Sequence, residues 1–284
     1  MSTAITTLDD QPAVSNPALQ TSRWRKVAAR WFVRLLSIAL CFVLWEAASR
    51  GKWTVLGARF ENVPAPSQVF DAAKELARSP KLTGHLKASL MRIFAGFSLA
   101  AVLAVASGML IGRFRWAEDG LMPPFEILRP IPAVAWIPLA ILLWPTPESS
   151  MIFITFIGAF FPILLNTVHG VEGIDRRLVQ ASLVLGTGRV ALFREVILPG
   201  SLPAIVTGLT IGMGTAWFSL ITAEMVSGQY GIGYFTWEAY TLQNYPDIVL
   251  GMILIGVLGM LSSGLIRIVG LRFMPWFKFG GNST

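Results

Sequence analysis

The residues whose side chains could carry out catalysis or bind a metal are few in this sequence and lie far apart. The chain holds two histidines, His85 and His169, and one cysteine, Cys41. Their separation does not match the close ligand spacing of a zinc site. The sequence also contains no Gly-x4-Gly-Lys-Ser/Thr phosphate cradle and no Gly-x-Ser-x-Gly nucleophile turn. We therefore expect no catalytic residue, no metal and no cofactor on this chain.

A more polar segment over 171–200 has a pattern typical of a docking element. Its apolar residues recur at helical spacing on both sides of Gly186 and Gly188, at positions 178, 181 and 185 and then at 192, 193 and 196. This spacing predicts two short amphipathic helices that meet at a glycine corner. Glycine there permits a positive φ and the close approach of another surface. Because short helices with exposed apolar faces need a partner, the segment is a candidate contact site for another protein.

Small and hydroxyl-bearing residues form a stripe within an apolar block further along the chain. At intervals of four or three residues, the stripe consists of Gly208, Gly212, Thr215, Ser219 and Thr222. Such intervals place them on one face of a helix. The two glycines predict tight helix packing. For the three hydroxyl residues two interpretations stay open, because they could line a polar passage or bond across a helix interface.

Charged residues near the apolar blocks fall at the predicted ends of those blocks. Glu224 follows the stripe on the same helix, where a solute gate and a structural anchor are both open interpretations. No Lys, Arg or His lies in the middle of a predicted block. We therefore expect no fixed positive charge to hold an anion at the centre of the membrane.

The elements that carry these residues follow from the composition. Of the 284 residues 54% are hydrophobic and 14% are charged, whereas a soluble domain has about 25% charged residues. The apolar residues gather in blocks of about 20, the length of helix that crosses about 30 Å of hydrocarbon. The sequence therefore predicts an all-α integral membrane protein. The net charge of +7 does not indicate a nucleic-acid partner, because the basic residues are spread between the blocks and suit contact with anionic lipid.

Six spans are predicted, near 32–49, 93–112, 127–144, 151–169, 203–225 and 247–268. The third is interrupted by Pro130, Pro132 and Pro138, which favours a kinked or broken helix over a loop. These boundaries divide the chain into a polar and basic tail over 1–31, a transmembrane domain over 32–276 and a C-terminal tail over 277–284.

The distribution of Lys and Arg predicts the orientation. Both termini and the segments 113–129 and 170–200 carry several basic residues, whereas 145–150 and 226–246 carry none. Since basic loops stay in the cytoplasm, we expect both termini and the 171–200 loop to be cytoplasmic. The basic segment 50–92 is the exception, and its length makes it less sensitive to this rule.

The 171–200 loop resembles the coupling loop of binding-protein-dependent ABC importers, whose pattern is Glu-Ala-Ala, then Gly, then Ile-x-Leu-Pro. The matching residues here are Gln180, Ala181, Ser182, Gly186, Gly188 within the same corner, Leu198 and Pro199. Gln180 replaces the family's Glu and Ser182 replaces an Ala. Those departures weaken any role for a carboxylate at this point but keep the Gly and Leu-Pro framework.

The resemblance extends over roughly 60–276 and is similar to one branch of these permeases, which imports nitrate, sulfonates, taurine or bicarbonate. It is carried by the proline-rich segment 128–139, by Ala223-Glu-Met225 with Gly231-Ile-Gly-Tyr-Phe235, and by His85-Leu-Lys-Ala-Ser-Leu-Met-Arg92. The first matches the branch's third span and the last its entry to the second span.

The resemblance implies a type I ABC importer permease in a bacterial inner membrane, forming the pathway for a small oxyanion-type solute. It further implies a second copy of the chain, cytoplasmic ATPase subunits that bind the ATP and Mg²⁺, and an extracytoplasmic substrate-binding protein. On the residues alone, Thr215, Ser219, Thr222 and Glu224 are the candidate pathway positions. A secondary transporter or channel is the alternative, although such proteins usually show internal repeats and buried ionisable residues.

Overall fold

The computed structural model describes residues 17–55 and 57–276, and most of them are helical. The described part forms two units, one up to Gln68 and one from Val69 onward. Of the predicted tails, 1–16 and 277–284 lie outside the described residues. Within the predicted 1–31 tail, residues from Pro17 onward already belong to the first helix.

The first unit consists of helix α1 (Pro17–Arg50), a two-stranded hairpin of β1 (Thr54–Val55) and β2 (Ala58–Arg59), and the start of α2 (Pro66–Arg78). Glu46 near the end of α1 accepts hydrogen bonds from the Ser67 hydroxyl at 2.9 Å and from the Ser67 backbone nitrogen at 3.2 Å. A carboxylate of α1 thereby holds the first turn of α2, where the backbone N–H groups of a helix lack internal partners.

The second unit continues with α3 (Pro80–Arg113), α4 (Arg115–Leu128), α5 (Ile137–Leu143), α6 (Pro147–Glu172), α7 (Arg176–Val184), α8 (Arg189–Leu192), α9 (Leu198–Ser227), α10 (Ile232–Thr241) and α11 (Tyr245–Phe273). Five stretches are long and apolar enough to cross a membrane by themselves, and α4 with the 133–143 segment makes a sixth as a bent pair. The prediction of an all-α, six-span membrane protein is confirmed, apart from the short hairpin.

The third span is broken, and the prediction of one span over 127–144 is wrong in its bounds. Helix α4 already occupies 115–128, where a cytoplasmic turn was expected, and meets the 133–143 segment at 84°. Pro130 and Pro132 lie in the break. Since proline has no backbone N–H group to donate to the preceding turn, these residues interrupt the helix there. α4 forms earlier because Leu121, Met122 and Phe125 pack against the main core.

α3 packs against α6 along a stripe of small residues that recur every fourth position: Gly96, Ala100, Ala104, Gly108 and Gly112. A Cβ on Gly96 would lie 2.7 Å from Thr155 Cβ, and one on Gly108 would lie 2.7 Å from Thr167 Cβ. The helices therefore approach too closely for a larger residue at these positions. They run in the same direction, because Gly96 faces Thr155 and Gly108, further along α3, faces Thr167, further along α6. Gly112 continues this close contact, since a Cβ there would lie 2.8 Å from Val171 Cβ.

α9 runs against α6 in the opposite direction. A Cβ on Gly212 would lie 2.7 Å from Ile163 Cγ1, and one on Gly208 would lie 2.6 Å from Asn166 Cβ. The packing role expected of both stripe glycines is thus confirmed. α3 and α6 finish, and α9 starts, at the same end of the bundle, which we call the loop end. We call the opposite end, where α9 finishes near Glu224, the cluster end.

Candidate coupling loop, pathway and ion cluster

The 171–200 loop contains the two short helices that its apolar spacing predicts. α7 ends in a Schellman motif: the Gly186 nitrogen donates to Leu183 O at 3.0 Å and the Thr187 nitrogen to Ser182 O at 3.0 Å. Gly186 has φ +82°, a conformation that glycine adopts without strain and that reverses the chain after a helix. The predicted glycine corner is confirmed at Gly186. Gly188 has an ordinary φ of −68°.

The far side of this loop is anchored in the bundle. α8 continues through a π-helical turn, Phe193–Ile197, directly into α9. Leu192 and Ile197 are buried in a small apolar core with Val171, Met109 and Ile205. Burial of these side chains fixes the second half of the loop against α3, α6 and α9.

The tip of the loop, by contrast, exposes large apolar side chains. Val184 is 87% exposed and Leu185 is 86% exposed, and Leu183 and Val190 beside them are also exposed. The three consecutive residues at the end of α7 and Val190 of α8 form an exposed aliphatic patch of the kind that another protein covers. Around this patch, Gln180, Ala181, Gly186 and Gly188 are exposed, whereas Ser182, Leu198 and Pro199 are half-buried.

The predicted pathway stripe on α9 separates into a packed side and an open side. Thr215 and Thr222 are half-buried and share a face with Phe218, which is 68% exposed. Ser219 is only 2% exposed and lies against Gly158, where a Cβ would collide with its hydroxyl. Thr215 and Ser219 contribute to a cleft of about 220 Å³ whose opposite wall is the break in the third span, 131–134.

Glu224 is fully buried, at 0% exposure, at the cluster end. Its carboxylate accepts from Ser89 Oγ at 2.7 Å, from Arg92 Nη1 at 2.8 Å and from the Gly233 nitrogen at 2.9 Å. A buried carboxylate held by three donors, one of them a guanidinium, has the geometry of an anchor.

Arg92 lies within α3, nearer to the cluster end than to the loop end of the helix. It had been assigned to the segment before the second span, but α3 begins at Pro80, so Arg92 lies inside the helix and is 2% exposed. Its Nε donates to Glu148 Oε2 at 2.7 Å, its Nη2 donates to the other Glu148 oxygen, and its Nη1 donates to Tyr230 O at 2.5 Å as well as to Glu224. The guanidinium is therefore held on all sides.

Sequence reasoning missed Arg92 and Glu148, although one pattern pointed to the first. His85, Ser89 and Arg92 are spaced by four and three residues, which puts three polar side chains on one face of an apolar helix. Polar residues on one buried face of a span need partners there. No such pattern points to Glu148. It lies in the first turn of α6 with its side chain 60% exposed, where a glutamate needs no buried partner.

Together these residues cap α10. The Gly231 nitrogen donates to His85 Nδ1 at 3.1 Å and the Ile232 nitrogen to Ser89 Oγ at 2.9 Å, followed by the bond from Gly233 to Glu224. Three backbone N–H groups at the start of a helix, which have no partner within it, are thus satisfied by α3 and α9. Gly231 has φ +131° and a Cβ there would overlap the Glu224 carboxylate, so this approach requires glycine.

Comparison with known proteins now adds to the geometry. A family model described as "Binding-protein-dependent transport system inner membrane component" matches residues 96–277. The nitrate import permease protein of Synechocystis sp. is 33% identical over 84% of this chain and 88% of its own length. The bicarbonate transport system permease protein of Synechococcus elongatus is 34% identical, covering 90% and 91%. A protein of Escherichia coli K12 whose name assigns it to aliphatic sulfonates transport is 36% identical, covering 91% and 96%.

Proposed function

Because the chain belongs to the binding-protein-dependent family of ABC importer permeases, in its nitrate, sulfonate and bicarbonate branch, we propose that it forms the translocation pathway for a small oxyanion. Nitrate, a sulfonate such as taurine, and bicarbonate are the candidate solutes. The family match, which spans the 171–200 loop, part of α3 and all eight helices from α4 to α11, is the observation that carries this proposal.

In the proposed assembly two copies of this chain enclose the pathway in a bacterial inner membrane. Two ATPase subunits, which bind the ATP and Mg²⁺, cover the 171–200 loops from the cytoplasm, and a binding protein delivers the solute from outside. Both chain termini and the loop end then face the cytoplasm, as the basic residues of 113–129 and 170–200 favour. The exposed patch around Leu185 supplies the apolar contact.

Coupling would pass through α9. α8, the π-helical turn and α9 follow one another without an intervening coil, from Arg189 to Ser227. A displacement of the loop by the ATPase subunits is therefore delivered directly to the helix that carries the open face with Thr215 and Thr222. Coupling between distant sites requires such a rigid element with two discrete positions.

The open face of α9 suits passage of an anion without tight binding. Thr215 donates its hydroxyl hydrogen to Gly212 O at 3.1 Å and Thr222 donates to Phe218 O at 2.9 Å. The lone pairs that remain do not attract an anion, and Arg92 is held elsewhere by two carboxylates. Weak binding favours release over retention, so selectivity in this proposal resides in the binding protein.

The loop assignment is tested with Gly186→Asp in the full-length protein. Asp must adopt φ near +82° and places a carboxylate in the apolar tip, so we expect at least about tenfold weaker association with the ATPase subunits. Gly120→Asp is the matched control, because Gly120 is exposed on α4 and its Cβ would meet open space. Co-purification of the subunits with each variant from membranes gives the comparison.

Equal association of both variants would remove the loop assignment. Transport in vesicles that contain this chain without any ATPase subunit would instead support the alternative, a secondary transporter or channel. A thermal-shift screen of the cognate binding protein with nitrate, taurine, other sulfonates and bicarbonate identifies the solute.

A further inference from the structure

A basic cleft of about 600 Å³ opens at the loop end, apart from the apolar tip of the loop and from the α9 stripe. It lies where α3 ends, α4 begins, α6 ends and α7 begins. Its apolar floor includes Ile111, Val171 and Ile197, and its charged lining consists of Arg113, Arg115, Arg176, Glu118 and Glu172.

Among the described residues, no carboxylate forms an ion pair with the three arginines of this cleft. This holds also for the two acidic residues of the lining, Glu118 and Glu172. Glu172 lies 3.8 Å from His169, and Glu118 lies in the first turn of α4, where the helix dipole favours a negative charge. The guanidinium groups of Arg113, Arg115 and Arg176 are therefore free to bind an anion.

Two helices start at the cleft, and the uncapped start of α4 adds to the positive potential. Arg115 is the first residue of α4 and Arg176 is the first residue of α7. The positive end of a helix dipole disfavours a cation at this position. The N-cap of α4, Phe114, makes no side-chain hydrogen bond to the helix. At α7 the Asp175 carboxylate already caps the helix by accepting from the Arg177 nitrogen at 2.8 Å, so an anion in the cleft would relieve the unfavourable placement at the start of α4.

The rim of the cleft has the aromatic residues of a membrane interface. Phe114 and Trp116 flank Arg115 and are 45% and 66% exposed. Aromatic side chains beside arginine at the end of an apolar span are typical of the depth of lipid headgroups. Since α3 ends at Arg113, the cleft lies at that depth.

We propose that this cleft binds a phosphate-bearing anion, with three guanidinium groups on the phosphate oxygens. The headgroup of an anionic phospholipid is the source that the interfacial rim favours, and free inorganic phosphate is the other source of the same chemistry. Val179 and Gln180 of α7 also line the cleft. The bound anion therefore contacts the first helix of the 171–200 loop and stabilises its position against α3 and α6. The proposal does not rest on the proposed transport activity, although α7 belongs both to this cleft and to the loop that the ATPase subunits would cover.

The test measures lipid binding to the purified full-length protein by native mass spectrometry, with phosphatidylglycerol compared with phosphatidylcholine. The cleft variant carries Arg113→Gln, Arg115→Gln and Arg176→Gln. The control variant carries the same loss of charge at three exposed arginines that do not line the cleft, Arg177→Gln, Arg189→Gln and Arg272→Gln. We expect the cleft variant to bind phosphatidylglycerol at least about tenfold more weakly than the unmodified protein, and the control to change by less than about threefold.

Equal losses in the two variants, or no preference for phosphatidylglycerol in the unmodified protein together with no binding of inorganic phosphate, would overturn the proposal. Displacement of phosphatidylglycerol by inorganic phosphate at millimolar concentration, or binding of phosphate alone, assigns the site to free phosphate. If the glutamine variant does not fold, the three lysine replacements at the same positions keep the charge and are expected to retain the lipid preference. Failure of ATPase association leaves this measurement unaffected, so the two proposals fail separately.

Discussion

The ion cluster consists of Arg92, Glu148 and Glu224. Substitutions of these residues should lower the free energy of unfolding by amounts that differ with the burial of each side chain. Arg92→Met removes the guanidinium and leaves the carboxylate of Glu224, at 0% exposure, without its counter-charge. Removing one partner of a buried pair costs about 3–5 kcal/mol, because the remaining charge stays desolvated. The same change takes a donor from Tyr230 O, which adds about 1 kcal/mol.

Glu148 provides the internal comparison. It contacts the same guanidinium, but its side chain is 60% exposed, and an ion pair that reaches water contributes about 1 kcal/mol or less. Glu148→Gln should therefore destabilise the protein far less than Arg92→Met. The double variant Arg92→Met with Glu224→Gln removes both buried charges, so it should be more stable than Arg92→Met alone.

Hydrogen exchange measures the effect where the structure locates it. The cluster binds the first backbone nitrogens of α10, so Arg92→Met should raise the exchange rate of amides in α10 before those of the α3–α6 interface. The melting temperatures of the detergent-solubilised variants rank their overall stability. Equal melting temperatures for Arg92→Met and Glu148→Gln, or unchanged exchange in α10, would refute the assignment of the cluster as a buried anchor.

Three further predictions concern separate parts of the molecule. Gly158→Val should lower the melting temperature, at a cost of about 1–3 kcal/mol, because its side chain would overlap Ser219, whereas Gly120→Val in open space should cost under about 1 kcal/mol. Leu185→Asp should abolish co-purification with the ATPase subunits while melting stays unchanged, since Leu185 is 86% exposed. Thr222→Val should change the solute transport rate in proteoliposomes but leave the stability within about 1 kcal/mol, because the side chain is half-buried and keeps its shape.

Much of the fold could be predicted because the bilayer imposes a length on apolar blocks. Five spans match predicted blocks, although α3 begins at Pro80 where the second span was placed from 93. The segment before 93 reads as polar because of Lys81, Lys87 and Arg92, and hydropathy alone treats buried and exposed charges alike. The spacing of Arg92 with His85 and Ser89 separates it from its exposed neighbour Lys87, but its partner Glu224 follows only from tertiary contacts.

The loop corner and the break in the third span could be predicted, whereas the bounds and the bend of that span could not. A glycine after a short amphipathic helix indicates a local reversal, and Gly186 satisfies its own hydrogen bonds within the loop. The prolines at 130 and 132 indicate a break, but the direction taken after it depends on packing. The 84° bend follows from contacts such as the bond from Ser150 Oγ to Ala140 O, between residues that no local pattern pairs.

α9 gives these separate features one physical connection. It begins at Leu198 and Pro199 beside the loop, carries the half-buried Thr215 midway and Thr222 near its end, and places Glu224 in the cluster. The cluster end is fixed by buried ionic contacts, whereas the loop end enters α9 through a π-helical turn, an irregularity often found at functional sites. A helix anchored at one end and pushed at the other tilts about its anchor. The largest displacement should therefore occur at the loop end and decrease along the open face toward Glu224. In the proposed assembly, the half of the pathway nearer the loop would then change width while the cluster stays in place.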